Sequence, residues 1–213
     1  MIYLSVPYVG IRRQRQPRDD LGIMLSVGVG QHLTWPLATM YWAADNQAYS
    51  PTNRPWVESD WRKFLQEAAP FRQTCLFAVA PDVVGNAEAT LERSRPALPY
   101  IRSHGFKVAF ASQDGARDDM IPWDEIDCLF VGGTDAWKFC EASVDLVRRA
   151  KERGLWVHVG RVNSLYRLWH CKLIGADSAD GTHVKYGPDR RYPELLHWLN
   201  TVNGGVIQTL WSS

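Results

Sequence analysis

Eight short apolar runs recur along this chain, and they constrain its fold more than any other feature of the sequence. From the third run onward, most are followed by a segment with the apolar spacing of an amphipathic helix. Strands that alternate with helices in this way form right-handed parallel crossovers. The runs are centred near residues 3, 25, 41, 77, 109, 129, 157 and 176.

Eight such units predict an α/β fold, a compact (β/α)8 TIM-like barrel that forms one domain over residues 1–213. The first two strand-to-strand connections lack a helical pattern, so we expect abbreviated units with loops there. A doubly wound open sheet is the alternative. Its dinucleotide-binding form is disfavoured because no GxGxxG motif follows a strand.

Charge and cysteine usage exclude several classes of function. A net charge of +1 excludes a uniformly basic nucleic-acid coat, so any contact with nucleic acid must come from a local patch. The 4 cysteines form no CxxC pair and have no histidine at metal spacing, which disfavours a structural zinc site and a disulfide framework and predicts a reducing compartment. We therefore expect a cytoplasmic protein (in the host cell, if phage-encoded) with no cofactor and no membrane contact.

Polar or glycine-rich segments follow six successive predicted strands. Singly, each has a structural explanation, because Asp and Asn commonly cap helices and form turns. In a parallel barrel, however, the carboxyl ends of the strands meet at one mouth, where such residues form a site. The segments are Asp45-Asn46-Gln47, Asp82, Gln113-Asp114, Gly132-Gly133-Thr134, Gly160-Arg161, and Asp177 with Asp180.

Carboxylates that converge at a barrel mouth suit two chemistries. One is metal binding by oxygen ligands, and the other is acid/base and nucleophilic work at a sugar carbon. The amides of Asn46 and Gln113 favour the second, because an amide beside a carboxylate matches the edge of a nucleobase. A double glycine lets backbone approach a planar ring, and Arg161 is suited to a phosphate.

These motifs, in this order, resemble the queuine/archaeosine tRNA-guanine transglycosylase superfamily. The branch they match best is the DpdA-like one of phages and bacteria, which inserts 7-deazaguanine bases into DNA. The resemblance implies a (β/α)8 barrel and a pentosyltransferase that exchanges a purine, guanine, at C1′ through a covalent aspartyl–sugar intermediate. It rests on Asp45-Asn46, Pro81-Asp82, Gln113, Gly132-Gly133 and the loop from Asp177 to Thr182.

The resemblance also implies a role for each matching residue. Asp177 would be the nucleophile, preferred over Asp180 because we expect it to end the eighth strand directly, and Asp45 would be the general acid/base. The remaining substrate-binding residues would contact the base edge, the base plane and the sugar-phosphate: Asn46, Asp82, Gln113, Gly132, Gly133, Arg161, Asn163 and Asp180.

Further candidates lie beside these motifs. Trp137 either stacks on a base or packs, Lys138 either meets a phosphate or covers apolar surface, and His183 follows the acidic loop. We read the other histidines, His158 among them, as structural or solvated. The arginines between Ile11 and Asp20 form either a solvated loop or a phosphate-facing arm, and Trp35 and Trp56 are further stacking candidates.

The expected partners are nucleic acid and a 7-deazaguanine-type base. The tRNA enzymes carry a zinc subdomain built from three cysteines and a histidine, and this sequence has no such cluster, which favours DNA over tRNA. Two alternatives remain open at this point. One is an N-glycosidase or deoxyribosyltransferase that acts on nucleosides, and the other is a non-catalytic nucleic-acid-binding protein on a degenerate barrel.

Overall fold

A computed structural model describes residues 1–7, 18–26, 36–49 and 56–204 of the chain. Eight parallel strands close into a barrel in sequence order, with β8 pairing with β1. The predicted (β/α)8 barrel is therefore confirmed. The strands are β1 (Ile2–Ser5), β2 (Leu21–Ser26), β3 (Trp42–Asp45), β4 (Cys75–Val79), β5 (Val108–Ser112), β6 (Cys128–Val131), β7 (Trp156–Val159) and β8 (Ser178–Gly181).

Helices surround this barrel and connect its strands. The apolar faces of the longer ones pack on the outside of the strands, as residues such as Trp61, Leu146 and Leu168 show by their burial. The helices are α1 (Pro36–Thr39), α2 (Glu58–Ala68), α3 (Ala87–Ser94), α4 (Leu98–Ser103), α5 (Asp135–Lys138), α6 (Glu141–Glu152), α7 (Leu165–Leu173) and α8 (Pro188–Asn203).

Strand residues alternate between the inside of the barrel and the layer beneath the helices, as the side-chain period of two requires. The inner cluster contains strand residues and no helix residue. Its fully buried members include Leu4, Ala43, Phe77, Ala109 and Cys128. This parity decides which of the polar residues further along each strand face the interior.

Local sequence explains where the helices begin and break. Side-chain oxygens of Asn86, Thr134 and Ser164 accept a backbone N–H from the first turn of α3, α5 and α7. Pro96 and Pro99 split the predicted helix between residues 87 and 103, as proline does. The apolar spacing from Asp135 to Arg153 predicts one helix, but the structure has two there, because the backbone at Cys140 is extended.

Two strands differ in position from the prediction. The third begins at Trp42 and includes Asp45, because the preceding residues form α1. The eighth begins only at Ser178, beyond the apolar residues that suggested a strand near residue 176. Its limits are set by pairing with β1 and β7, since the segment itself has low β-propensity.

Several predictions fall on residues outside the described ranges. The first two connections lie largely in 8–17 and 27–35, so the loops expected there, the arginines of the basic stretch at 12, 13 and 15, and Trp35 are not described. Within the described ranges, all 4 cysteines are free thiols. No helix in those ranges has the length and hydropathy needed to cross a membrane.

Candidate active site

A cavity of about 580 Å³ opens at the carboxyl ends of the strands. It collects residues from β2, β3 and β8 and from the loops after β4, β5, β6 and β7. Most of the predicted site residues line it: Asp45, Asn46, Asp82, Gln113, Gly132, Gly133, Arg161, Asn163 and Asp180.

Strand parity explains why these side chains meet. Asp45 and Gln113 each lie two residues beyond an inward-facing alanine, Ala43 and Ala111. Asp180 lies two residues beyond Ser178, whose hydroxyl contacts the interior His158. A period of two therefore turns all three polar groups toward the barrel axis at the level where the strands end.

Asp45 is a carboxyl group at the cavity with a strongly raised pKa. Burial is the main cause and the negative charge of Asp180 is the second, and together they raise the pKa of Asp45 from 3.8 to about 7. Backbone N–H groups of Gln47 and Asn46 oppose the shift. A carboxyl group with this pKa holds or releases a proton near neutral pH, as a general acid/base must.

Asp82 is held by two amide side chains. Asn46 Nδ2 donates to Asp82 Oδ1 (3.0 Å) and to the carbonyl of Ala80 (2.6 Å), and Gln113 Nε2 donates to Asp82 Oδ2. The Gln113 carbonyl accepts the N–H of Gly85 (2.9 Å). Burial raises the pKa of Asp82, and the two amide donors partly offset that rise.

These hydrogen bonds give Asn46 and Gln113 different roles. Both amide hydrogens of Asn46 are engaged, and its Oδ1 accepts the backbone N–H of Ala48 (2.7 Å). Asn46 therefore positions Asp82 and has no donor left for a ligand. Gln113 retains one amide hydrogen beyond its bond to Asp82, and it shares the cavity wall with the carboxylate.

Gly132 and Gly133 form one wall of the cavity, and neighbouring side chains leave no room for a Cβ at either position. Gly133 has a φ of +72°, and a Cβ there would lie 2.5 Å from Asp114 Oδ2 and 2.6 Å from Trp137 Cδ1. A Cβ on Gly132 would lie 2.6 Å from Gln113 Nε2. Asp114 fixes this turn by accepting the N–H of Thr134 (2.8 Å) and its hydroxyl (2.5 Å).

Asp180 lies on the inner face of β8, and two nitrogen atoms lie within hydrogen-bond distance of its Oδ1. His158 Nε2 is 3.0 Å away, and the backbone nitrogen of Arg161 donates over 3.3 Å. Both contacts suit an ionised carboxylate, which only accepts hydrogen bonds. Asp180 is therefore held in one orientation at the cavity.

Arg161 bridges the loops around the mouth. Its φ is +58°, an uncommon conformation for a residue other than glycine. Its Nη2 donates to the carbonyl of Gly133, and its Cζ lies 4.6 Å from the ring centroid of Tyr49. Gln47, with a φ of +60°, also lies at this mouth, and strained residues of this kind cluster at functional sites.

The structure overturns the predicted position of Asp177. This residue precedes β8 instead of ending it, so it lies at the amino-terminal end of the barrel, opposite the cavity. Its carboxylate accepts the backbone N–H of Val157 (2.7 Å) and pairs with Lys151 (2.7 Å). Asp177 does not line the cavity, and the prediction that it directly ends the eighth strand is wrong.

Two of the further candidates are also structural. Trp137 is buried behind Gly133 and does not line the cavity, so it packs instead of stacking on a ligand. Lys138 is 1% exposed, and its ammonium group donates to the carbonyl of Gly160 (3.0 Å) and pairs with Asp135 (2.9 Å). It therefore fixes the turn before Arg161 and does not reach a phosphate.

Asn163 and His183 border a second cavity of about 480 Å³. Asn163 Oδ1 accepts the N–H of Thr182 (2.8 Å), and these two residues line both cavities. His183 pairs with Glu194 (3.0 Å) and faces only the second cavity. This second cavity also contains Tyr186, Arg190 and Arg191.

Sequence reasoning missed three residues that belong to the site. Tyr49 and Lys185 line the cavity, and His158 contacts Asp180 from within the barrel. For His158 a signal was present, because it lies two residues before Gly160 and so on the same inner face of β7. Trp56 donates its indole N–H to the carbonyl of Asn46 (3.2 Å), which supports the mouth from outside.

Comparison with known proteins gives no family for this chain. No family model and no curated protein matches it. A solved structure from Aquifex aeolicus VF5 is similar over 85% of this chain and 90% of its own, at 11% identity and a TM-score of 0.46. The Bacillus subtilis YkuI protein, which has an EAL domain and was solved with c-di-GMP and calcium, is similar over 81% of this chain and 46% of its own.

The second similarity has 13% identity and a TM-score of 0.39. At these values, neither structure bears on the chemistry of the cavity. Within the described ranges, no group of three or more His, Cys, Asp or Glu side chains is arranged to hold a metal ion.

Proposed function

We propose that this protein is a base-exchange transglycosylase that replaces a guanine in DNA by a 7-deazaguanine-type base. The observation that carries the proposal is the pair Asp45 and Asp180, two carboxyl groups on one cavity with unlike surroundings. Asp45 titrates near pH 7, whereas Asp180 accepts two N–H donors. Two carboxyls whose environments differ in this way take the roles of acid and nucleophile.

In the first step, a carboxylate oxygen of Asp180 attacks C1′ of the target nucleotide. The C1′–N9 bond breaks, its electron pair leaves with the purine, and protonated Asp45 gives its proton to the departing base. The product is an ester between Asp180 and the sugar. Covalent catalysis of this kind divides one difficult displacement into two easier ones.

In the second step, the incoming base takes the place of the first. Its N9 attacks C1′, Asp45 accepts the N9 proton, and the ester bond breaks with its electron pair returning to Asp180. Asp45 ends protonated and Asp180 ionised, as they began. A pKa of about 7 for Asp45 suits both directions of this proton transfer.

The purine would be recognised beside Asp82 and Gln113. The Asp82 carboxylate accepts hydrogen bonds and the free amide hydrogen of Gln113 donates one, which matches the mixed donor and acceptor edge of guanine. Gly132 and Gly133 line the same cavity, so the flat base would lie against backbone there. The resemblance seen in the sequence implies the same assignment for these four residues.

Cations around the mouth would bind the sugar-phosphate backbone. Lys185 and Arg161 line the main cavity, and Arg190 and Arg191 line the adjoining one. A base inside a duplex cannot reach a cavity of this depth, so the target nucleotide would be flipped out at a cost of a few kcal/mol. This arrangement supports a nucleic-acid substrate over a free nucleoside.

The proposal is tested by nucleoside mass spectrometry. Duplex DNA and a free 7-deazaguanine-type base are incubated with the wild-type protein, Asp180→Asn, Asp45→Asn, or the exposed control Asp124→Asn. We expect incorporation by the wild-type protein and Asp124→Asn and none above background by the other two. Release of guanine without incorporation, or reaction of free nucleosides alone, would favour the nucleoside-directed alternative. Full activity of Asp180→Asn would refute the mechanism.

A further inference from the structure

His158 is a fully buried imidazole on the inner face of β7, directly behind Asp180. Both of its ring nitrogens have partners. Nε2 lies 3.0 Å from Asp180 Oδ1, and Nδ1 lies 2.8 Å from Ser178 Oγ. The imidazole of His158 therefore contacts the candidate nucleophile Asp180 through Nε2 and the strand residue Ser178 through Nδ1.

The partners of His158 define its tautomer. Asp180, when ionised, only accepts hydrogen bonds, so Nε2 must carry the proton that lies between them. A neutral ring then accepts the hydroxyl proton of Ser178 at Nδ1. The indole N–H of Trp156 donates to Ser178 Oγ (2.8 Å), which leaves that hydroxyl proton free to point at the ring. Every donor in the chain from Trp156 to Asp180 therefore points the same way.

Two aromatic rings fix the imidazole in place. The ring centroids of Phe77 and Phe130 lie 5.0 Å and 4.7 Å from that of His158. Phe77 is fully buried, and such apolar neighbours strengthen the hydrogen bond to Asp180 by lowering the local dielectric constant. Gly160 keeps this packing possible, because a Cβ there would lie 2.9 Å from Phe130 Cε1.

The contacts divide the two oxygens of Asp180. In the described part of the chain, His158 Nε2 and the Arg161 backbone N–H both bind Oδ1. Neither engages Oδ2. These contacts fix the orientation of the carboxyl group through Oδ1. Among the described contacts, Oδ2 accepts no hydrogen bond and remains available to a ligand.

We propose that His158 is a positioning residue that anchors Oδ1 of Asp180 so that Oδ2 attacks the sugar carbon. The inference rests on the proposed function, in which Asp180 is the nucleophile. In this proposal, the hydrogen bonds that link Trp156, Ser178 and His158 hold the carboxyl group of Asp180 in one orientation. Loss of such an orientation, by a displacement of about 1 Å, costs ~10²-fold in rate.

Two isosteric substitutions separate this role from packing. The amide nitrogen of glutamine reaches the position of Nε2, so His158→Gln retains a donor to Asp180. The amide of asparagine reaches only the position of Nδ1, so His158→Asn retains the Ser178 contact and loses the anchor. Both variants lose the imidazole ring between Phe77 and Phe130, and thermal unfolding of each shows whether it folds.

The experiment measures exchange on duplex DNA as kcat and KM. We expect His158→Asn to lower kcat ~10²-fold with KM changed less than about threefold, and His158→Gln to retain kcat within about tenfold of wild type. Ser178→Ala should lower kcat in the same direction by a smaller factor. His170→Asn, in α7 outside the barrel, is the control and should leave both constants unchanged.

Equal kcat values for His158→Asn and His158→Gln would overturn the positioning role, because that role requires the donor to Asp180 that only glutamine retains. Should His158→Asn fail to fold, a wild-type kcat in Ser178→Ala together with a ~10²-fold loss in His158→Gln would overturn it instead. The proposed function fails differently. In that case Asp180→Asn retains the activity of the wild-type protein, or neither protein exchanges bases.

Discussion

The two ends of the barrel use aspartate in different ways. At the amino-terminal end, Asp127 and Asp177 directly precede β6 and β8, and the carboxylate of each accepts a backbone N–H of the neighbouring strand over 2.7 Å. Each also pairs with a cation from the helix that precedes that neighbouring strand, Arg102 of α4 or Lys151 of α6. Each of these two residues therefore links its own strand to the neighbouring one, and its charge is balanced by a cation.

At the carboxyl-terminal end, the aspartates have no such cations. Among the described ion pairs, Asp45 and Asp82 have no lysine or arginine partner, and the one partner of Asp180 is His158. Amide side chains, backbone N–H groups and one another's charge surround them instead. The same residue type therefore joins neighbouring strands at one end, where we call it a staple, and lines the candidate site at the other.

The largest expected effect is at β8, where one aspartate lies at each end of the barrel. Asp180→Asn should abolish base exchange, with a loss of at least ~10⁴-fold in kcat, because removal of a covalent nucleophile leaves only binding and positioning. Asp177→Asn, three residues away but at the opposite end, should retain kcat per folded molecule. Steady-state exchange with active-site titration checks both. Inactivity of Asp177→Asn in a folded sample would contradict the distinction between the two ends.

A smaller loss is expected from Asp45. Base departure requires protonated Asp45, so the rate of adduct formation should fall as pH rises through about 7. Asp45→Asn should lower that rate by ~10²- to 10⁴-fold, the usual contribution of a general acid, and remove this pH dependence. Single-turnover kinetics between pH 5 and pH 9 measure both. An unchanged pH profile in Asp45→Asn would assign the titration to another group.

Asp45 also makes a prediction about stability. Its pKa is about 7 in the folded protein and near 3.8 when exposed, so the folded state holds a proton that the unfolded chain releases between these values. Stability therefore falls as pH rises from 3.8 to 7, and the loss is complete above that window. Asp45→Asn should raise the Tm more at pH 8 than at pH 4, by about 2–4 °C for each kcal/mol.

The smallest effects concern the staples. Asp127→Asn and Asp177→Asn should each lower the free energy of unfolding by about 1.5–3 kcal/mol, the range for a hydrogen bond to a charged group. Urea denaturation followed by fluorescence measures the change. Neither substitution should alter the ratio of kcat to KM once the folded fraction is known. A loss for Asp177→Asn alone would show that the two staples are not equivalent.

Most of the mouth was predictable from the sequence because its strands are apolar. The runs that end at Asp45, Asp82 and Gln113 are continuous, so the position of the polar residue after each run follows from where burial stops. The fold class followed in the same way from eight such runs. The positions of these polar residues and the fold class both follow from the pattern of apolar residues alone.

The eighth strand could not be located in this way. Its sequence, Ser-Ala-Asp-Gly, contains two polar residues and a glycine, and the apolar residues before it end α7. Only pairing with β1 and β7 fixes its register, and a shift of two or three residues exchanges a staple for a candidate nucleophile. Tertiary pairing decides the role of Asp177 and Asp180, and local sequence does not.

Peptide mapping of the trapped intermediate tests the central claim most directly. The wild-type protein is mixed with duplex DNA without an incoming base, quenched in acid, digested with nuclease and trypsin, and fragmented by mass spectrometry. One tryptic peptide, Leu173–Lys185, contains both Asp177 and Asp180, so the fragment ions separate them. The account predicts a sugar adduct on Asp180. An adduct on Asp177, or on a peptide other than this one, would contradict it.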